Sequence, residues 1–258
     1  MNFREFEGFF KKNPHARYCK KNAKNKYYRA SELKKAWSLS CKFYKKNYNP
    51  ILLRQGNLKL EKNVIIWDLP AIVACKYACN GCYAVKAERL YKNTRIMRAF
   101  HFAIVAKALK YKTCYNYLTN YLNIEIKKHE LYCKLPVVRI HASGDFISFY
   151  KKDDYLQLWE DITKSNKKVN FYSYSKVLTN FEIDEINAKH NNFNIVKSLL
   201  KDKYINYGKN DYLQTLKLIM QDEPLHVCTY GVKGAKHETC MGSCTKCLKC
   251  SNVIFLQH

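Results

Sequence analysis

Short apolar segments alternate with amphipathic segments along most of this 258-residue chain, and the alternation limits the folds that the chain can adopt. β-branched and aromatic runs predict strands, and apolar residues at i, i+3 and i+4 spacing predict helices between them. A last apolar run, 253–256, is expected to pair at a sheet edge. The predicted strands are 64–70, 137–141, 169–174, 193–196 and 225–230, and the predicted helices are 83–111, 114–131, 154–163, 181–189 and 212–220.

Strands that alternate with helices are typical of a parallel sheet. We therefore expect an α/β core at 58–230, either a partial (β/α) barrel or an open parallel sheet. Active sites of such folds lie at the carboxyl ends of the strands. Two segments follow predicted strands: a loop with Cys75, Cys79 and Cys82, and the turn Ser143-Gly144-Asp145. We expect these two segments to form one site.

The charge of the chain is strongly positive. It has 46 Lys+Arg against 21 Asp+Glu, a formal charge of +25. Residues 1–50 hold fourteen basic and three acidic residues, interleaved with aromatic residues, and we predict a basic helical N-terminal extension at 1–57. Lysines that neutralise phosphates and aromatic rings that stack on bases indicate a nucleic-acid partner. The alternative is a solvated lysine surface that reflects a compositional bias.

The hydropathy indicates a soluble protein without membrane contact. The mean hydropathy is −0.45, and no apolar run approaches the ~18–20 residues of a spanning helix. The first residues lack the apolar region of a signal peptide. We expect a cytoplasmic protein, located in the host cytoplasm if a phage encodes it.

Seven of the 12 cysteines lie in two clusters. In a cytoplasmic chain, clustered thiols are metal ligands more often than disulfides. The loop with three cysteines leaves one coordination position of a metal centre open, unless a distant Cys228 or His237 completes a zinc site. The second cluster, in a Cys-rich metal-binding tail at 231–258, has enough thiolates to enclose a zinc ion or an iron–sulfur cluster. Its ligands are Cys240, Cys244, Cys247 and Cys250.

Four other side chains stand at the ends of predicted strands. His141 is a candidate acid, base or ligand, and a hydrogen-bonded structural histidine is the alternative. Tyr172, Tyr174 and Lys176 alternate along one strand and therefore share a face. Lys176 is a candidate catalytic residue there, while the tyrosines are expected mainly to pack.

The loop has the spacing Cys75-x3-Cys79-x2-Cys82 and is followed by the aromatic Tyr83. This motif resembles the cysteine motif of the radical S-adenosylmethionine (SAM) superfamily. The resemblance implies that Cys75, Cys79 and Cys82 hold a 4Fe-4S cluster whose open iron binds SAM, and that an electron donor is needed. In that superfamily a Gly-Gly-Glu-like segment meets the SAM amino group. Ser143, Gly144 and Asp145 occupy the corresponding place, with Tyr83 as a further cofactor contact. The second cluster then resembles an auxiliary Fe-S domain or a structural zinc knuckle.

Short motifs in a consistent order also resemble the gene product eighty-eight family of phage proteins. They are Trp67-Asp68-Leu69-Pro70-Ala71, Cys82-Tyr83-Ala84, the segment 139–146 and the Cys-rich end, and the resemblance covers about residues 57–258. The resemblance implies a phage or mobile-element origin and leaves the activity open. Our first hypothesis is a radical SAM-like enzyme that acts on nucleic acid or a nucleotide. The alternatives are a zinc-stabilised DNA-binding or replication-associated protein, and a nuclease or base-exchange enzyme that uses Asp145 and His141.

Overall fold

Seven strands form a single sheet in the computed structural model, which describes residues 1–11, 28–55, 62–71, 73–75, 83–147, 151–198, 226–228 and 252–255. The strands are β1 (Arg54–Gln55), β2 (Val64–Asp68), β3 (Val137–Ser143), β4 (Asn170–Ser175), β5 (Phe193–Ser198), β6 (His226–Cys228) and β7 (Asn252–Phe255). The helices within the described residues are α1 (Phe3–Lys11), α2 (Ala30–Tyr44), α3 (Tyr83–Leu90), α4 (Lys92–Ala108), α5 (Lys112–Tyr132), α6 (Lys152–Ser165) and α7 (Asn180–Lys189).

The sheet is mostly parallel and follows the order β1-β2-β3-β4-β5-β7-β6. Only the β1–β2 pair is antiparallel among the pairings of the described strands. The α/β class and the parallel sheet are therefore confirmed, and among the described strands β1 and β6 stand at the two ends of the order, without a pairing that closes a barrel. The predicted edge position of 253–256 is wrong, because β7 pairs with β5 on one side and with β6 on the other.

The two faces of the sheet differ in what covers them. Ile65, Trp67, Val138, Ile140 and Phe171 alternate along three neighbouring strands and join the main core with residues of α2, α4, α5, α6 and α7. The opposite face carries a smaller cluster, in which Val64, Val137 and Tyr172 are buried and Ile66 and Tyr174 pack beside them. Successive strands β2 to β5 are neighbours, so each crossover returns its helix to the same side.

The described part of the predicted N-terminal extension contains the helices α1 and α2, and both belong to the core. Phe6 of α1 and Phe43 of α2 have no exposed surface, and α2 packs along α4. The aromatic rings of α1 and α2 therefore pack toward the core. Phe6 and Phe10 contact each other and Phe102 of α4.

The long helix predicted at 83–111 is two helices. The backbone of Tyr91 is extended between α3 and α4 (φ −116°, ψ 106°). Four polar residues, 92–95, interrupt the apolar spacing at this break, but neither glycine nor proline marks it. The other predicted helices and strands within the described residues are present with end shifts of a few residues, and the predicted helix 212–220 lies outside them. None of the helices in the described ranges is both long and apolar enough to cross a membrane.

Candidate active site

The Ser143-Gly144-Asp145 turn lies against the beginning of the three-cysteine loop. The parallel register between β2 and β3 shifts after Trp67, so that Asp68 pairs with Ser143 and the amide of Leu69 donates to the carbonyl oxygen of Ser143 (2.9 Å). Gly144 has φ +86°, and a Cβ at this position would lie 2.8 Å from Leu69 Cβ and 3.2 Å from Ala74 Cβ. Only glycine fits this approach, which brings the turn next to the residue that precedes Cys75.

A buried ion network fixes the two ends of the loop. Arg98 of α4 lies 3.0 Å from the Glu88 carboxylate and 3.6 Å from that of Asp68. Glu88 accepts a hydrogen bond from the Ala71 amide (2.8 Å), and Arg98 donates to the Ala84 carbonyl oxygen (3.1 Å). The nearby carboxylates Asp68 and Glu88 raise the pKa of Arg98 against the effect of burial. The loop from 71 to 84 is thus held at its base.

Asp145 links the ends of β3 and β4. Its carboxylate accepts hydrogen bonds from the Phe146 amide (2.7 Å), the Ser175 hydroxyl (2.7 Å) and the Lys176 amide (2.8 Å). Burial raises the pKa of Asp145 to about 6, and the three donors oppose that rise. Its oxygens are therefore engaged in positioning the turn after β4.

His141 belongs to a buried chain of hydrogen bonds. Its backbone is left-handed (φ +63°), which turns the ring toward Ser173 and Tyr155. Ser173 donates to the Ile140 carbonyl oxygen (2.9 Å), so Nδ1 of His141 donates to Ser173 (3.2 Å) and Nε2 accepts from Tyr155 (2.9 Å). Burial lowers the pKa of His141 to about 3, which keeps the ring neutral. This geometry favours the structural histidine that the sequence left open.

The family model for Gene product 88 matches residues 43–217 of this chain. The chain belongs to the Gene product 88 family. The motif-based resemblance to this phage family is therefore confirmed. The match includes the loop, the Gly144 turn and the network around Arg98, and it ends before the second cysteine cluster. No curated protein and no solved structure matches the chain.

Most predicted metal ligands of this Gene product 88 family member lie outside the described residues. Cys75 is described and half-buried, directly after the contact between Ala74 and Gly144. Within the described ranges, no group of three or more His, Cys, Asp or Glu side chains is placed to hold a metal ion. The residues outside those ranges are Cys79, Cys82, Cys240, Cys244, Cys247 and Cys250.

Two polar side chains of the site are buried without a hydrogen-bond partner among the residues that the structure describes. They are the Ser143 hydroxyl and one carboxylate oxygen of Asp68, in residues that are 3% and 4% exposed. The second oxygen of Asp68 pairs with Arg54 at 3.0 Å. Buried polar groups are usually satisfied, so these two atoms beside the predicted cofactor loop are exceptions.

The sequence interpretation missed Asp68, Glu88 and Arg98. A carboxylate directly after a buried strand was a usable signal for Asp68, which the Trp67-Asp68-Leu69-Pro70 motif displays. Glu88 and Arg98 had no such signal, because they lie among ordinary charged positions of helical segments. Their role depends on the position of α4 beside the end of β2.

The remaining predicted site residues have simple positions. Lys176 is half-buried and donates its backbone amide to Asp145. Tyr83 begins α3, and its side chain lies outside the described structure. Tyr172 and Tyr174 share the less covered face, with ring centroids 5.8 Å apart, and the Arg139 guanidinium lies 5.3 Å from the Tyr174 ring centre. The predicted shared face of the tyrosines is therefore present.

Proposed function

We propose that this Gene product 88 family member is a radical SAM-type iron–sulfur enzyme that acts on nucleic acid or a nucleotide. The observation that carries the proposal is the contact of Gly144 with Leu69 and Ala74. It joins a three-cysteine loop and a glycine turn at the carboxyl ends of parallel strands wound in sequential order. The resemblance implies a cofactor site at this position, at the carboxyl ends of parallel strands.

The residues around the loop fit the implied cofactor. Cys75, Cys79 and Cys82 would hold a 4Fe-4S cluster, and four-thiolate coordination at Cys240, Cys244, Cys247 and Cys250 would hold a second Fe-S cluster or zinc. The Ser143 hydroxyl, in the turn that contacts Ala74, is buried and has no hydrogen-bond partner within the described structure, which supports a polar contact with a cofactor there. When bound, the cluster supplies the electron for the reductive cleavage of SAM. An external donor must then return an electron to the cluster.

The chain's own residues prepare this site. Arg98 and Glu88 fix the two ends of the loop, which limits the positions that the thiolates can take. Asp145 aligns the turn after β4 with the turn after β3, and His141 stays neutral in its hydrogen-bonded chain. Ser143 offers a hydroxyl that can donate to a carboxylate or accept from an ammonium group.

Anaerobic purification and reconstitution test the proposal. We expect iron and sulfide to copurify, a visible absorption band near that of iron–sulfur proteins, and 5′-deoxyadenosine formed from SAM with dithionite. Cys75→Ala should abolish the product, while Cys133→Ala, a half-buried thiol at the end of α5, should leave it unchanged. A loaded cluster that forms no deoxyadenosine contradicts the proposal.

The same experiment distinguishes the alternatives. Colourless protein with zinc and without iron at both clusters would support the zinc-stabilised DNA-binding protein. The nuclease or base-exchange hypothesis requires Asp145 and His141 to contact a substrate. Since Asp145 accepts three internal hydrogen bonds and both ring nitrogens of His141 are engaged, the geometry lends that hypothesis no support.

A further inference from the structure

Helix α2 has one face made of lysine and serine. At 100° per residue, Ser31, Lys34, Lys35, Ser38 and Lys42 fall within an arc of about 100°, and the following Lys45 continues it. All of these side chains are exposed, as is Lys46 just beyond the helix. The opposite side of α2, with Leu33, Ala36 and Phe43, is buried in the core. We call the exposed residues Lys34, Lys35, Lys42, Lys45 and Lys46 the α2 lysine face.

No carboxylate neutralises the α2 lysine face within the described structure. Glu32 is the only acidic residue between positions 28 and 55. It is buried, and it pairs with Arg95 of α4 at 2.7 Å. No ion pair within 4.0 Å involves any of the five lysines in the described ranges, whereas Lys152 and Lys189 elsewhere pair with Glu182 and Glu160. The face therefore presents a concentrated positive charge.

The aromatic residues of the same helix are not available for stacking on bases. Trp37 packs against Phe6 (ring centroids 5.4 Å apart), and the Lys107 amine covers its ring at 3.9 Å. The Tyr44 hydroxyl donates to the Ile104 carbonyl oxygen at 2.6 Å. Nonspecific single-strand sites combine a basic groove with aromatic platforms, and this face offers only ammonium and hydroxyl groups. Such groups recognise phosphate oxygens.

We infer that the α2 lysine face binds the phosphodiester backbone of double-stranded DNA without reading its sequence. Lys34 and Lys45 are separated by about 16 Å along the axis at 1.5 Å per residue. One strand of a duplex carries about five phosphates over that length. Five lysines on a rigid helix, anchored to the core by its buried side, match this spacing of charge.

The position of α2 connects this surface to the candidate active site. Glu32, in its first turn, is paired with Arg95, which also donates to the carbonyl oxygen of Glu88 (2.5 Å). Glu88 in turn anchors the cysteine loop. DNA on α2 would therefore be held by the helix that supports the loop. The inference does not depend on the iron–sulfur proposal, since it concerns binding alone.

Salt-dependent binding of the full-length protein to a 20-base-pair duplex tests the inference by fluorescence anisotropy. Each phosphate contact contributes about −0.9 to the slope of log affinity against log salt. The variant K34Q/K35Q/K42Q/K45Q/K46Q should bind at least about 100-fold more weakly at low salt and lose about 3–4 of that slope. Replacement of the same five lysines by arginine should retain binding.

A control variant removes the same charge from another exposed region. K127Q/K128Q/K134Q/K167Q/K168Q changes lysines at the end of α5 and before β4, all exposed. Its slope should stay within about 1 of the unmodified protein. Equal losses in both variants would show that net charge alone acts and would overturn the inference. Tighter binding of the corresponding single strand, or of anionic vesicles with no duplex binding, would overturn it as well. Circular dichroism verifies that each variant is folded.

Discussion

Arg98 and Glu88 form a buried ion pair that joins the two ends of the three-cysteine loop. Their side chains are 7% and 0% exposed, and the charged atoms lie 3.0 Å apart. Glu88 binds the chain where it leaves β2, and Arg98 binds it where it enters α3. Under our proposal the loop carries metal ligands, and such support would set their positions before a metal binds.

Arg98→Ala should strongly destabilise the protein. The substitution leaves Glu88 and Asp68 as buried carboxylates without this partner, so we expect the free energy of unfolding to fall by about 3–5 kcal/mol. Urea denaturation followed by circular dichroism measures the change. Arg54→Ala is the control, since Arg54 pairs with the same Asp68 but its side chain is 39% exposed, and it should cost less than about 1 kcal/mol. Equal losses would contradict the role assigned to Arg98.

Gly144→Ala should separate the glycine turn from the loop. A Cβ would lie 2.8 Å from Leu69 Cβ, and the residue would keep a left-handed φ of +86°. Strain and overpacking together predict a loss of about 2–4 kcal/mol in the free energy of unfolding. Gly8→Ala in α1 is the matched control, because its Cβ would meet no atom within 4 Å and alanine favours helices. If thermal denaturation gives the same midpoint for both variants, the proposed close contact is wrong.

Tyr155→Phe should disrupt the chain of hydrogen bonds around His141. The Tyr155 hydroxyl accepts from Trp67 Nε1 (3.1 Å) and donates to His141 Nε2 (2.9 Å), and all three residues are buried. Two buried polar atoms lose their partner, so we expect a loss of about 2–4 kcal/mol by chemical denaturation. The half-buried Tyr115, which donates to Asp161 at 2.6 Å, provides the comparison. Tyr115→Phe should cost about 1 kcal/mol or less, and an equal cost would argue against a coupled chain.

The pH dependence of stability should reveal Asp145. Burial raises the pKa of Asp145 to about 6 from an ordinary 3.8, so the folded protein binds this proton more tightly than the unfolded chain does. Its contribution to the free energy of unfolding is therefore greatest below about pH 4, and it decreases by roughly 2–3 kcal/mol as the pH rises through 6. The difference between the unmodified protein and Asp145→Asn, measured from pH 4 to 7, should show this decrease.

Two buried histidines give the free energy of unfolding a pH dependence opposite in sign to that of Asp145 over part of this pH range. Burial lowers the pKa of His101 to about 4 and that of His141 to about 3, so their contribution is complete above about pH 6.5 and is lost as the pH falls. Both histidines are present in both proteins, so their effect cancels in the difference. Asp153→Asn, at a side chain that is 90% exposed, should give a flat difference. A flat difference for Asp145→Asn would contradict the raised pKa.

Periodicity was sufficient to predict the class of the fold. The runs at 64–68 and 137–143 are short, β-branched and buried on both faces, and such runs are typical of parallel strands. The position of the cysteine loop and of the Gly144 turn after these strands followed from the same pattern. The break at Tyr91 was not predicted, because neither glycine nor proline marks it and the polar residues 92–95 alone do not end a helix.

The amino-acid sequence by itself determined the alternation of strands and helices, the placement of the two candidate segments at strand ends and the excess of lysine. Local periodicity and turn chemistry depend only on residues that are close together in the chain, and composition needs no structure at all. Only the tertiary structure decided that the Asp145 carboxylate accepts hydrogen bonds from Ser175 and Lys176, and that His141 is hydrogen-bonded to Tyr155. It also decided that the aromatic residues of α2 face inward while its lysines face outward. These contacts join residues distant in the chain, and they depend on which faces the packed core leaves exposed.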